Sequence, residues 1–151
     1  MIELAEHVAE VLDVGPGTRV FEVDCGSGDF LFPFYLNGYV CGGCDADAGA
    51  VAVAEVAMPD GVFQVAAASL LDPALPWDVV VCRTLGTMDD EDRGRGVLAR
   101  MFAKATHAIA VLDLPAERQQ WLLHALAEVG ASAIQFEASS TPGRVNAFAR
   151  A

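Results

Sequence analysis

Basic residues are scarce in this chain. Nine Lys and Arg stand against 21 Asp and Glu, a formal net charge of −12 over 151 residues. Phosphate backbones repel so acidic a chain, which argues against nucleic acid as a partner. No apolar run approaches the ~18 residues of a membrane-spanning helix, so no membrane partner is expected. The opening Met1-Ile2-Glu3-Leu4-Ala5-Glu6 lacks the positive region of a secretory signal, and a cytoplasmic location is expected. Charged residues at 20% against 54% hydrophobic ones argue against a disordered chain, and the length suits one domain over 1–151. The missing bases are unevenly missing: residues 1–75 hold twelve acids and only Arg19, whereas residues 76–151 hold nine acids and eight bases. A solvated acidic surface accounts for this, as does affinity for something cationic.

Cysteines are few, at 25, 41, 44 and 82. Cys41-Gly-Gly-Cys44 has the spacing of half a zinc site or a redox pair. No second such pair exists, and His7, His107 and His124 are isolated in the sequence. A thioredoxin-like pair opens a helix, and this one lies inside an apolar strand. Free thiols and no metal are expected.

What is present alternates. Residues 2–13 carry Ile2, Ala5, Val8 and Leu12 at helical spacing, and Gly15-Pro16-Gly17 stops them. Arg19 to Val23 is a short strand ending in a glycine-rich turn, and Phe30 to Asn37 a helix stopped by Gly38. Strands then follow at Tyr39 to Cys44, Val62 to Val65, Asp78 to Cys82 and Ala108 to Leu112. Helices fall at Ala48 to Ala57, around Val97 to Ala105, and after Pro115, while Ser69 to Pro76 reads as a loop. Ala131 to Ala138 and Arg144 to Phe148 are strands separated by only five residues, too few for a parallel crossover, so they form a hairpin. Five β-then-helix units and a hairpin predict an α/β, three-layer, Rossmann-like fold. Its sheet has seven strands, mostly parallel, with one antiparallel strand in the C-terminal hairpin.

Such sheets bind ligands beyond the carboxyl ends of their strands. The candidate is Glu22-Val23-Asp24-Cys25-Gly26-Ser27-Gly28-Asp29, whose glycines allow a tight turn and whose following helix would present free N–H groups. The second strand ends in Asp45, a carboxylate able to accept both hydroxyls of a ribose. Asp47 reads as a helix cap, as does the run Asp89 to Asp92. A dinucleotide site needs a third glycine, and Leu31 stands there. An adenosyl ligand without phosphates fits this loop better.

Val20 to Glu55 resembles the cofactor half of the class I S-adenosylmethionine-dependent methyltransferases. The resemblance rests on Val20-Phe21-Glu22-Val23-Asp24-Cys25-Gly26-Ser27-Gly28 and on Val40-Cys41-Gly42-Gly43-Cys44-Asp45. Trp77 to Arg83 resembles the family's fourth strand and the hairpin its reversed seventh. S-adenosylmethionine is the cofactor the resemblance implies, with a small-molecule acceptor. It implies that Glu22 orients the glycine loop and that Asp24, Cys25, Gly26 and Gly28 pass the methionine part. Asp45 would hold the ribose, Ala46 would lie against the adenine, and Ala67 and Ala68 would flank its edge. Arg83 and Thr84 would face the methionine end and the acceptor. Asp24 departs from the family's usual first glycine, and Ala67 stands where an acid often reads the adenine amino group. No residue is named as a catalytic base. With little sequence to cover the site, the N-terminal helix, the loop from Arg83 to Arg95 or a second copy in a homodimer would supply the cover. Two other readings stay open: a methyltransferase-fold protein that binds an adenosyl ligand or a partner without catalysis, and another Rossmann-type nucleotide binder.

Overall fold

A computed structural model describes residues 1–72 and 75–151; Pro73, in the expected loop 69–76, lies outside the described residues. Seven strands are present: β1 (Arg19–Val23), β2 (Val40–Asp45), β3 (Val62–Val65), β4 (Trp77–Cys82), β5 (Ala105–Pro115), β6 (Ser132–Ala138) and β7 (Arg144–Arg150). Five helices accompany them: α1 (Ile2–Leu12), α2 (Phe32–Leu36), α3 (Ala48–Ala57), α4 (Glu91–Lys104) and α5 (Gln119–Glu128). The sheet order is β3-β2-β1-β4-β5-β7-β6, and only β7 runs antiparallel to its neighbours. The strand order reverses between β1 and β4, which places a crevice at their carboxyl ends.

Alternation along the strands builds the three layers. Phe21, Val23, Val80, Ile109 and Val111 pack with Val97, Leu98 and Met101 of α4 and Leu122 of α5. Val20, Val79, Val81 and Ala110 point to the other face, where Ala5, Val8 and Leu12 of α1 meet Phe34 of α2 and Ala54 of α3. Phe21 and Phe30 are both fully buried, each stabilising the fold by about 1.5–3 kcal/mol. Asp47 and Asp90 cap α3 and α4 by accepting from backbone N–H groups two and three residues on, as their positions predict.

Several boundaries differ from the expected ones. Asp13 adopts a left-handed φ of 53° and ends α1 before the glycines are reached. The second helix starts at Phe32, because Pro33, with no N–H to give, fits only its first turn. β3 is followed by a three-residue 3-10 turn, Ala68–Leu70, in place of a helix, so four units carry a full helix. Pro115 closes β5, and α5 begins four residues later, after a 3-10 turn at Ala116–Arg118. Ala105 likewise opens β5 and does not belong to α4.

Candidate functional site

The chain leaves β1 through three left-handed residues, Asp24 (φ 55°), Gly26 (φ 55°) and Gly28 (φ 89°). Asp tolerates this region better than most residues, which lets Asp24 stand where a glycine is usual. The backbone N–H of Cys25 donates to Cys44 O at 3.0 Å and ties the loop to β2. Asp45 then joins the two turns: one carboxylate oxygen accepts from Gly26 N at 2.9 Å and the other from Asp47 N at 2.9 Å. A carboxylate has about four acceptor positions, so two remain for a ligand.

The glycines differ in function. A side chain on Gly26 would meet nothing within 4 Å, so open space lies above it. One on Gly28 would run into Met58 Cε and come within 3.4 Å of Ala54 Cβ, so Gly28 lets α3 pack against the loop. Leu31 is fully buried, which removes the close helix approach a pyrophosphate needs. The N-terminus of α2 does not serve the site as the sequence suggests: the helix is only five residues long, and Phe32 N already donates to Gly28 O.

The ends of β1 and β4 are joined by two side-chain contacts. Arg83 Nε donates to Glu22 Oε2 at 2.6 Å, and Thr84 Oγ1 donates to Asp24 Oδ2 at 2.7 Å. Burial pushes the Glu22 carboxyl up to about 8, with Arg83 pulling it back. The other oxygen, Oε1, is buried without a hydrogen-bond partner. The guanidinium of Arg83 also lies 5.3 Å from the Phe30 ring centre. Glu22 therefore engages Arg83, and its expected contact with the glycine loop is not formed.

Hydrogen bonds thus join Gly26 to Asp45, Asp24 to Thr84 and Glu22 to Arg83 at the carboxyl ends of β1, β2 and β4, with Glu22 wholly buried. Ala46 is exposed and Ala67 half-buried. Ala68 and Cys25 are each 1% exposed, their side chains packed into the core, so neither presents a side chain to the crevice. Cys41 and Cys44 belong to the cores on opposite faces of the sheet and do not form a shared ligand pair. Burial raises both thiols, to about 12 and about 11. Among the described residues no cluster of His, Cys, Asp and Glu is suited to a metal.

Next to this crevice is a cavity of about 620 Å³ that the sequence does not reveal. Arg83 and Thr84 form one wall, α1 another, and the end of β5 with the β6–β7 hairpin the rest. The N-terminal helix therefore supplies part of the cover. His7 and Glu137 meet across the cavity at 2.6 Å, although 130 residues separate them. No local motif announces such a pair. The available hint was a histidine on the amphipathic first helix and an acid in the last hairpin.

No protein-family model matches the sequence, and no curated protein resembles it detectably. Solved structures do. Magnesium protoporphyrin IX methyltransferase from Synechocystis, with S-adenosylmethionine bound, superposes with a TM-score of 0.80 at 16% identity, over 99% of this chain and 78% of that one. An amino pentose methyltransferase from Micromonospora echinaspora, also with S-adenosylmethionine bound, gives 0.83 at 14% identity, over 98% and 90%. A sugar N-methyltransferase from a Streptoalloteichus species gives 0.82 at 14% identity, over 99% and 85%. The chain has the fold of the class I S-adenosylmethionine-dependent methyltransferases.

Proposed function

We propose that the protein is an S-adenosylmethionine-dependent methyltransferase with a small-molecule acceptor. The observation that carries this reading is the open, left-handed loop at Gly26, pinned by its N–H to the carboxylate that ends β2. The residues fit the cofactor. Asp45 keeps acceptor positions for ribose hydroxyls, the space over Gly26 admits the methionine part, and Glu22 Oε1 awaits a donor. Ala46 and Ala67 offer apolar flanks for the adenine, Ala67 without an acid's hydrogen bond to its amino group. Ala68 supports that flank from the core. Arg83 and Thr84 stand where the methionine end would face the acceptor. The cofactor supplies a methyl group on a positively charged sulfur. The chain's part is positioning, since aligned reactants lower the barrier by up to ~7–11 kcal/mol. The three similar structures named above, which act on a porphyrin and on sugars, support a small acceptor.

Calorimetry with S-adenosylmethionine, S-adenosylhomocysteine and NAD side by side tests the reading. S-adenosylhomocysteine should bind and NAD should not; the reverse would overturn the choice of cofactor. A single catalytic domain, a cytoplasmic location and a two-fold homodimer complete the proposal. Four buried, unbridged cysteines suit a reducing compartment. Exposed valines at β3 and α3, Val53, Val56, Val62 and Val65, give a dimer an apolar face, and light scattering over a concentration series tests it.

A further inference from the structure

We propose that the cavity beside Thr84 receives a small acceptor bearing an ammonium group, and that His7 takes the proton its nitrogen must lose before it is methylated. This rests on the methyltransferase reading and adds to it the acceptor class and the base.

His7 is mounted for that task. Its Nε2 lies 2.6 Å from Glu137 Oε1. A carboxylate oxygen only accepts, so Nε2 carries the hydrogen of this bond, and Nδ1 is the nitrogen left to exchange a proton. Glu137 Oε1 also accepts from Asn146 Nδ2 at 3.4 Å. Asn146 is 4% exposed, and its Oδ1 accepts from the backbone N–H of Asp113 at 3.0 Å. Asp113 itself holds a left-handed φ of 58°. The imidazole on α1 is therefore braced through β6 and β7 to β5. Thr84 lines the same cavity and bonds to Asp24, so the cavity abuts the glycine loop.

The charges facing His7 select the acceptor. Glu3 comes from its own helix, Asp113 from β5 and Glu137 from β6. Met1 also lines the cavity, and Arg83, the one guanidinium among the described lining residues, bonds to Glu22. Arg144 lies outside the lining and pairs with Asp113 at 3.7 Å. Three carboxylates line the cavity against one guanidinium, a balance that favours an ammonium over an anion, as does the net charge of −12. An ammonium nitrogen has no lone pair. Passing its proton to His7 Nδ1 leaves a neutral amine, whose lone pair forms the new N–C bond. The C–S bond breaks and its electron pair stays on sulfur. The product departs as an N-methylated ammonium, and His7 returns its proton to water.

Glucosamine and glucose, which differ by one amino group, serve as probes without any methyl donor. Glucosamine should shift the amide NMR signals of His7, Glu137 and Ser139, and glucose at equal concentration should not. The ring-nitrogen spectrum of His7 should show the Nε2–H tautomer, whose preference Glu137→Leu, with no acceptor, should lose. With S-adenosylmethionine, primary amines should be methylated at least tenfold faster than their alcohol counterparts. His7→Gln should lower kcat by roughly 10²-fold or more, with affinity for S-adenosylhomocysteine unchanged. Absent or equal shifts with the two sugars, preference for alcohols, or full kcat in His7→Gln would overturn the proposal. So would failure to methylate any amine by protein that binds S-adenosylhomocysteine. Wild-type protein that binds no S-adenosylhomocysteine would instead overturn the underlying reading, and the proposal with it.

Discussion

Over β1 and β2 the crevice is made by one contiguous stretch, Glu22 to Asp45, whereas the neighbouring cavity draws its polar groups from residues 7, 113, 137 and 146. The first half is built from turn chemistry: left-handed residues, a glycine facing open space, and an acid at a strand end. The second half exists only once four elements have docked. Function divides along the same line. A loop fixed by local geometry suits a ligand common to many proteins, and walls assembled from distant segments suit an acceptor peculiar to one.

Arg83 stands on the seam, so removing it should break the comparison most sharply. Arg83→Ala leaves Glu22 fully buried with neither oxygen paired by a side chain. Below about pH 8 the Glu22 carboxyl holds its proton, so the loss is that of a buried polar group left unpaired, roughly 1–3 kcal/mol. The pH dependence has a definite sign. The folded carboxyl binds its proton more tightly than the unfolded one, so stability declines as pH rises from the ordinary carboxylate range toward about 8. Without Arg83 the folded carboxyl holds its proton to still higher pH, so the decline continues above pH 8, where that of the wild type levels off. The melting temperatures of wild type and Arg83→Ala should differ by a near-constant amount from pH 5 to 7 and draw apart above pH 8; a gap that shrinks with rising pH would contradict this.

Asp45→Ala should break the cofactor half alone. Charge-assisted hydrogen bonds contribute ~1.5–3 kcal/mol each. Losing two to a ribose predicts a loss of affinity for S-adenosylhomocysteine on the order of 100-fold or more. The amide signals of His7 and Glu137 should stay in place. Their movement in the unliganded variant would show that the halves are coupled through the loop.

The same division explains what could be read in advance. The alternation of strands and helices, the terminal hairpin, both helix caps and the loop acid follow from short spacings such as Gly26 to Asp45 or Asp47 to Ala50. Where tertiary packing outweighed local preference, the sequence misled. Glu22 turns to Arg83, 61 residues away. Ala68 matches a motif by position, yet its side chain is in the core. The His7–Glu137 pair spans nearly the whole chain, and no period or spacing in the sequence encodes it.

The smallest expected effects come from Gly26 and Gly28, and they separate packing from binding within the loop itself. Both have positive φ, so an Ala at either position carries a backbone cost of ~1–2 kcal/mol. At Gly28 the new methyl also meets Met58, which is fully buried and must shift inside a packed core, adding a cost of about 1 kcal/mol or more. At Gly26 the methyl projects into empty space and adds nothing to that cost. Chemical denaturation should therefore find Gly28→Ala the less stable of the two. Binding should rank them the other way, because the space above Gly26 is where the cofactor would pass. Gly26→Ala should weaken S-adenosylhomocysteine by roughly tenfold, equivalent to ~1.4 kcal/mol, while Gly28→Ala, measured below its melting transition, should bind nearly as wild type. If both variants lose stability and affinity in the same proportion, the loop acts as a single packed unit and the ligand path does not run over Gly26.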